Sequence, residues 1–276
     1  MEETMLKEER REAILKYIED NGKITTAVIQ RKFKVGYGTA MTDLDDLAEQ
    51  GLVKRIHGGA MKIRQVGFNP HIANVSSKDR CIEIWPNYLA IAKAAVDMIE
   101  PEDVVYISSA SIGYLMAKEL PADRRCTVVT TSISIAEELR QKPAIRVIVT
   151  GGEMQENGNF YAEFTMGVIR RLRFDKCFIT AAACSAKFGL SIQGGRNIGI
   201  KNLILDQSRM KIALFPKGKI GQESIMQICP VSKLDMIITE TDSDADECAA
   251  IEEAGVRMVY VQSPGAGESE EPKSEE

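Results

Sequence analysis

Between residues 88 and 261, short runs of β-branched and apolar residues alternate with stretches of helical spacing, and no other feature of this sequence constrains the fold as tightly. Runs such as Val104-Val105-Tyr106-Ile107 and Val147-Ile148-Val149-Thr150 lack polar alternation. That pattern suits strands covered on both faces, as in a parallel sheet sandwiched between helices. The expected strands are 104–107, 126–131, 145–150, 177–183, 211–215, 236–240 and 257–261. Helical patterns fall at 91–99, 111–120, 134–139, 162–172, 197–207 and 244–253, so the region reads as successive βαβ units.

The first sixty-odd residues follow a different rhythm. Leu6, Ala13, Ile14, Tyr17 and Ile18 recur at helical spacing up to a stop at Asn21-Gly22. A second, short helix starts at Ile24-Thr25, where threonine can cap the first backbone donors. After Lys34-Val35-Gly36 a third helix places Ala40, Leu44 and Leu47 on its inner face and ends at Gln50-Gly51. Residues 52–63 form two extended runs about Gly58-Gly59, a pair suited to a tight hairpin. Three helices and a hairpin of this size make a winged helix-turn-helix whose third helix is placed for the DNA major groove.

Charge is informative only once it is located. The chain carries a net −5, yet residues 22–64 hold eight basic side chains against four acidic ones, a locally cationic segment in an acidic protein. With 44% hydrophobic and 27% charged residues, the composition is that of an ordinary globular chain and excludes extensive disorder. The charged N-terminus and the lack of a long apolar run lead to the expectation of a cytoplasmic protein without membrane partners. Six singly scattered cysteines lack zinc-ligand or disulfide spacing and read as small buried hydrophobes; no metal or other cofactor is expected.

Two sets of motifs carry a resemblance. The segment Leu6-Lys7-Glu8-Glu9-Arg10-Arg11, the helix-turn-helix after it, and the segment from Glu49 through Leu52-Val53-Lys54-Arg55-Ile56-His57-Gly58-Gly59-Ala60 resemble the N-terminal domain of DeoR-family bacterial repressors. The strands with their polar ends at Val105–Ser111 and Val128–Ser132, together with Gly151-Gly152-Glu153, Arg173-Phe174-Asp175-Lys176 and Asp235–Glu240, resemble that family's sensor domain. The resemblance implies an α/β protein: an N-terminal winged helix-turn-helix, then a mostly parallel α/β sensor domain related to the ribose-5-phosphate isomerase-like fold. The expected domains are 1–64 for DNA binding, a linker at 65–86, the sensor at 87–262 and a disordered acidic tail at 263–276. The segment from Phe33 to Ala40 is also similar to the DNA-reading winged helix of FtsK translocases, but no motor domain accompanies it.

Candidate DNA-binding residues are Thr25, Lys34, Tyr37, Thr39, Met41, Thr42, Lys54, Arg55 and His57. Threonines and Tyr37 can donate to phosphates or base edges, whereas Lys34, Lys54, Arg55 and His57 suit backbone positioning. Two arginines usual in the family's recognition helix are replaced by Met41 and Thr42, which implies a different base preference or weaker binding; Met41 either faces the groove or packs inward.

Candidate effector residues are Ser108, Ser109, Ala110, Ser111, Thr131, Gly151, Gly152 and Lys219. A serine-rich loop between strand and helix offers hydroxyls and free amides to an anion, or else the serines merely cap the helix. Lys217, Lys201 and Arg196 are further possible anion partners, with solvated surface lysines as the ordinary alternative. Where the family has Asp-Ser-Gly-Thr-Thr this chain reads Ser108-Ser109-Ala110-Ser111-Ile112, and Pro216 stands in place of a second aspartate. Thr131 stands where asparagine is usual and Tyr88 where lysine is usual, so the scaffold looks retained and the ligand specificity changed.

The expected function is therefore a DNA-binding repressor, acting as a homo-oligomer on a double-stranded operator and responding to a small effector such as a phosphorylated sugar. Two alternatives compete. A sugar-phosphate isomerase-like enzyme would need a positioned base, but the expected carboxylates are Ser108 and Pro216, and both histidines, His57 and His71, lie upstream of the sensor, so no catalytic residue is assigned. The other alternative is an interaction protein whose DNA-binding unit has decayed, which a failed mobility shift at low salt would favour.

Overall fold

A computed structural model describes residues 7–21, 23–49, 53–56, 58–62, 76–81, 86–161 and 163–262. The chain divides into two compact units, Met1–Gly67 and Phe68–Glu276. The helix start expected at Leu6, His57, most of the expected linker and the acidic tail lie outside the described residues.

The first unit runs α1 (Lys7–Asn21), β1 (Lys23–Thr25), α2 (Thr26–Phe33), α3 (Tyr37–Glu49), β2 (Val53–Ile56) and β3 (Gly59–Lys62). Its core gathers Ile14 and Ile18 of α1, Ile29 of α2, and Ala40, Leu44 and Leu47 of α3 over Ile24, Val53 and Ala60 of the strands. Spacing of three and four keeps the α3 residues on one face. A buried ion pair adds orientation: Asp43, 1% exposed, accepts from Arg10 at 2.6 and 3.2 Å and from Arg11 at 3.1 Å, fastening α3 to α1.

One expectation is corrected here. Residues 23–25 were read as the approach to a helix, yet they form a strand that pairs antiparallel with β3, giving the sheet order β1-β3-β2. Thr25 ends that strand and also caps α2, its hydroxyl accepting from the Val28 amide at 3.3 Å. The pairing depends on Gly59, since a Cβ there would sit 2.2 Å from the Ile24 carbonyl oxygen. Gly58, at φ +72°, supplies the left-handed turn.

The second unit begins with α4 (Pro86–Asp97), five residues earlier than expected, because proline is well suited to the first helical position, where no amide is needed. There follow β4 (Val104–Ile107), α5 (Ser111–Glu119), β5 (Cys126–Thr130), α6 (Ile133–Leu139), β6 (Ile145–Val149), α7 (Glu163–Ile169) and β7 (Phe174–Ile179). Then come β8 (Ala183–Ser185), β9 (Gly189–Ile192), α8 (Ile198–Asp206), β10 (Ser208–Leu214), β11 (Met226–Cys229), β12 (Met236–Glu240), α9 (Ala245–Glu253) and β13 (Arg257–Val261).

Seven strands form one sheet in the order β13-β12-β10-β7-β4-β5-β6, with every neighbouring pair parallel. Helices α4, α5 and α6 pack on one face through Ile91, Val96, Leu115 and Ile135. On the other face α7, α8 and α9 bring Ile169, Ile204 and Ile251 against Phe174, Ile179 and Phe215. The sequence direction reverses between β4 and β7: β5 and β6 build outward from β4 on one side, and β10, β12 and β13 build outward from β7 on the other.

The expected strand 177–183 does not exist as one element. Pairing with β10 stops at Ile179, and Ala183 opens a separate antiparallel sheet of order β11-β9-β8 that the sequence reading missed. Gly189, at φ +73° and too close to the Cys229 carbonyl to carry a Cβ, closes its hairpin. All six cysteines are free thiols, five buried and Cys81 half-buried. Among the described residues no helix is long and apolar enough to cross a membrane.

Candidate functional site

In the first unit, α2 and α3 are joined by a tight turn in which Lys34 adopts a left-handed backbone (φ 51°), a conformation uncommon outside glycine and asparagine. The turn presents the start of α3 outward. Tyr37 is 58% exposed, and Thr39 and Thr42 are exposed as well, with the Thr42 hydroxyl donating back to the Gly38 carbonyl at 3.0 Å. Lys34 and Thr25 are also exposed.

The three aspartates of α3 are paired from within the unit. Asp43 meets Arg10 and Arg11, Asp46 meets Lys7 at 3.1 Å and Arg11, and Asp45 meets Arg55 at 2.9 Å. Arg55, expected on a DNA phosphate, is thus engaged internally: it also donates to the Gly59 carbonyl at 2.9 Å and lies 3.1 Å from the Met41 sulfur. Met41 is half-buried and turns toward Arg55. The Lys54 side chain and His57 are outside the described set. What faces outward is a helix start without acidic charge, beside a two-stranded wing.

In the second unit, the expected effector residues fall at one edge, where the strands deliver their carboxyl ends, on loops except for Ser111, which opens α5, and Lys219, which ends a short 3-10 turn. Ser108, Ser109 and Ala110 follow β4, Thr131 follows β5, Gly151-Gly152 follow β6, and Lys219 follows β10. In open parallel sheets this edge, at the point where strand order reverses, is where ligands bind. Ala110 occupies the cap position of α5 and has no hydroxyl to satisfy the first amides; the Ser109 hydroxyl lies 3.3 Å from that of Tyr161 instead. No side chain at the cap position therefore serves the first amides of α5. Gly113 lets α5 approach this loop, since a Cβ there would lie 2.0 Å from the Ser108 carbonyl oxygen.

Not every expected residue faces outward. Thr131 is 1% exposed, with its hydroxyl 3.3 Å from the buried Tyr106 phenol. Gly151 and Gly152 have φ of +65° and +117°, and the turn they make is held by the Thr165 hydroxyl, which donates to the Gly151 carbonyl at 2.8 Å. Lys217 pairs with Asp242. The Arg196 side chain is outside the described set.

Several residues at this edge were missed or underweighted. Lys201 of α8 donates to the Thr180 carbonyl at 2.6 Å, and Lys219 lies 3.5 Å from the next carbonyl, Ala181, so two cations converge just past the end of β7. Burial pushes the Lys201 ammonium down to about 8, and the nearby Lys219 charge adds to the shift. Thr150 and Asn159 are 2% and 1% exposed, yet the Thr150 hydroxyl and the Asn159 amide oxygen have no hydrogen-bond partner among the described residues. Glu240, fully buried at the end of β12, is a carboxylate the sequence reading did not credit to this edge. The Asn87 amide donates to it at 2.9 Å and the Lys217 backbone N–H donates as well, so it ties the 216–219 turn to α4. The spacing of Asn197 and Lys201, one helical turn apart, could have drawn attention to Lys201; no local pattern identifies Thr150 or Asn159.

Comparison with known proteins agrees with this division. Residues 10–66 match the model of the DeoR-like helix-turn-helix domain, and residues 88–241 match that of the DeoR C terminal sensor domain. The chain is 29% identical over 255 residues to the HTH-type transcriptional regulator GolR of Listeria innocua, covering 90% of this chain and 96% of GolR. It is 27% identical over 259 residues to the HTH-type transcriptional repressor GlcR of Bacillus subtilis, covering 94% and 98% of the two chains. A lactose phosphotransferase system repressor of Staphylococcus epidermidis is 26% identical over 242 residues, covering 86% and 94%. A ribose 5-phosphate isomerase A of Methanocaldococcus jannaschii aligns with 50% of this chain and 53% of its own at 16% identity, with a TM-score of 0.35, too low to carry an argument.

Proposed function

This chain belongs to the DeoR family of transcription regulators, and on that premise we propose that it represses transcription by binding an operator in duplex DNA and releases it on binding a small anionic metabolite, a phosphorylated sugar being the favoured class. It is a DNA-binding regulator and not an enzyme, as its curated relatives are regulators and repressors. The observation that carries the DNA half is the outward face of α3: Tyr37, Thr39 and Thr42 project at its start, while Asp45 and Asp46 behind them are matched by cations of the same unit. Hydroxyls there can donate to phosphates or base edges without a like charge opposing the approach.

The effector half is supported by the carboxyl edge of the parallel sheet. Lys201 and Lys219, reaching successive carbonyls, bring two cations to this edge, and the amides of α5, which no cap side chain serves, and the half-buried Ser109 hydroxyl lie on the adjoining loop. Ligand binding at this edge would shift the balance between DNA-competent and incompetent states only by as much as its affinity differs between them. We place the protein in the cytosol and expect a homo-oligomer, because one winged helix covers little DNA and paired half-sites multiply specificity.

The test is a selection of duplexes from a random pool by the full-length protein, followed by mobility shift with and without a panel of sugar phosphates and inorganic phosphate. The reading expects a shared sequence among selected duplexes and release by at least one phosphorylated compound. Absence of any duplex binding at low salt would overturn the regulator reading, and binding insensitive to the whole panel would remove the phosphorylated effector.

A further inference from the structure

We infer that Arg55 and Asp45 form a brace that sets the wing against the recognition helix, so that Asp45, an acidic residue on the DNA-reading side, strengthens specific binding. The inference rests on the DNA-binding reading above and goes beyond it by assigning these two residues a positioning role.

Three nitrogens of one guanidinium reach three partners on two elements. Nε meets Asp45 Oδ1 at 2.9 Å, Nη1 donates to the Gly59 carbonyl at 2.9 Å, and Nη2 lies 3.1 Å from the Met41 sulfur. Met41 and Asp45 are one turn apart on α3, and Gly59 opens β3. Arg55 itself sits on β2, so the planar fork links both wing strands to the flank of α3 that borders its exposed face. A guanidinium offers these directions from three separate nitrogens of one rigid plane; an ammonium has three donors but on a single atom, too compact to span all three partners.

Stability does not explain the pair. The Asp45 side chain is 59% exposed and that of Arg55 27%, and an ion pair so placed contributes little to folding. A bare carboxylate beside a polyanion would oppose binding, because phosphate contacts dominate affinity. If Arg55 left to meet a phosphate, Asp45 would be stranded facing the duplex and the Gly59 carbonyl would lose its donor. Keeping the pair closed avoids both losses and holds the wing at a fixed angle to Thr39 and Thr42. Asp46 and Asp43, held from α1, steady the opposite flank of the same helix.

The prediction inverts simple electrostatics. Asp45→Asn removes a negative charge from the DNA side, which on charge alone tightens every duplex. The brace instead lowers the ratio of affinity for the selected duplex to that for a scrambled one, by about fivefold, the scale of coupling between directly contacting residues. Arg55→Gln lowers the ratio by a similar factor, the double variant falls no further than the worse single, and Arg55→Lys, which keeps the charge but not the fork, falls between. The slope of log K against log salt stays at the wild-type value in Arg55→Gln, whereas loss of a phosphate contact would flatten it by about 0.9. A ratio unchanged or raised in Asp45→Asn, or a flattened slope in Arg55→Gln, overturns the brace.

A DNA-free arm separates this inference from the regulator reading. Amide hydrogen exchange in β3 is expected to speed up several-fold in both single variants while the melting temperature of the first unit stays near wild type. Unchanged exchange overturns the brace whatever the protein does with DNA, and faster exchange in a protein that binds no duplex leaves the regulator reading as the one that failed.

Discussion

The two ends of the seven-stranded sheet are built from opposite electrostatic material. At the amino ends, charges are matched within the protein: Lys176 donates to Asp103 at 2.6 Å, Asp103 also accepts from the Glu100 amide, and Asp175 accepts from the Val104 amide and from Arg209. Asp235 likewise takes the Lys211 amide at 2.7 Å. At the carboxyl ends, two lysines share a pair of carbonyls, α5 starts uncapped by a side chain, and two buried polar side chains have an unpartnered atom among the described residues. The same strands supply both ends. An edge whose charges are paired across neighbouring strands holds the fold; the carboxyl edge is the one where ligands bind in open parallel sheets.

The largest effect should come from the closed end. Asp103→Ala leaves Lys176, whose side chain is 12% exposed, with only the more distant Glu100 carboxylate at 3.7 Å, and is expected to remove about 3 kcal/mol from the sensor unit's stability in urea denaturation while leaving phosphate affinity unchanged. A loss of phosphate binding without loss of stability would break the comparison at its stronger side. Glu240→Ala is the next test and is aimed at one of the matched groups of the open end, where Lys217 also pairs with Asp242. Although it lies at the open end, this carboxylate is fully satisfied, so its removal leaves the Asn87 amide and the Lys217 N–H without their acceptor and should cost about 2 kcal/mol. If that variant melts like the wild type, Glu240 does not hold the 216–219 turn and belongs with the unmatched groups.

Lys201→Met probes the open end directly. Inorganic phosphate binding by calorimetry is expected to weaken about tenfold, equal to roughly 1.4 kcal/mol, with stability unchanged or raised because a desolvated cation is gone. The pH dependence sharpens this. In the folded chain Lys201 titrates at about 8, below its ordinary 10.5, so the unfolded chain binds more protons between those values. Unfolding free energy should therefore rise with pH from about 8 to 10.5 in the wild type relative to Lys201→Met, and phosphate affinity should fall over the same rise as the ammonium is lost. Parallel stability curves for the two proteins would remove Lys201 from the account. The smallest effect is expected at Thr150→Val: a hydroxyl without a partner among the described residues contributes little, and the change should stay within about 0.5 kcal/mol.

Much of this architecture was legible along the chain because it depends on local spacing. The inward faces of α1 and α3, the stop at Asn21, the cap at Thr25 and the parallel strands follow from residues a turn or two apart, or from unbroken apolar runs. Helix 197–207 and strands 104–107, 236–240 and 257–261 were placed to within a residue of α8, β4, β12 and β13. The small antiparallel sheet was not legible: its strands are three or four residues long, and Ala183 reads as a continuation of β7 until Ser191 is seen to pair with it. For the candidate site residues the structure gives positions and contacts. The serine loop and Lys219 lie at the expected edge, whereas Thr131 proves to serve Tyr106 and Arg55 to serve Asp45.

By itself, then, the sequence determined which segments form helices and strands, which faces are apolar, and that a winged helix-turn-helix precedes an α/β unit. Only the tertiary structure decided strand order, which end of the sheet is closed by its own charges, and which cations are already held. The reason is physical: apolar burial is encoded by periods of two and 3.6 residues, but an ion pair such as Asp45 with Arg55, or the convergence of Lys201 and Lys219, is made by residues whose separation along the chain carries no period at all.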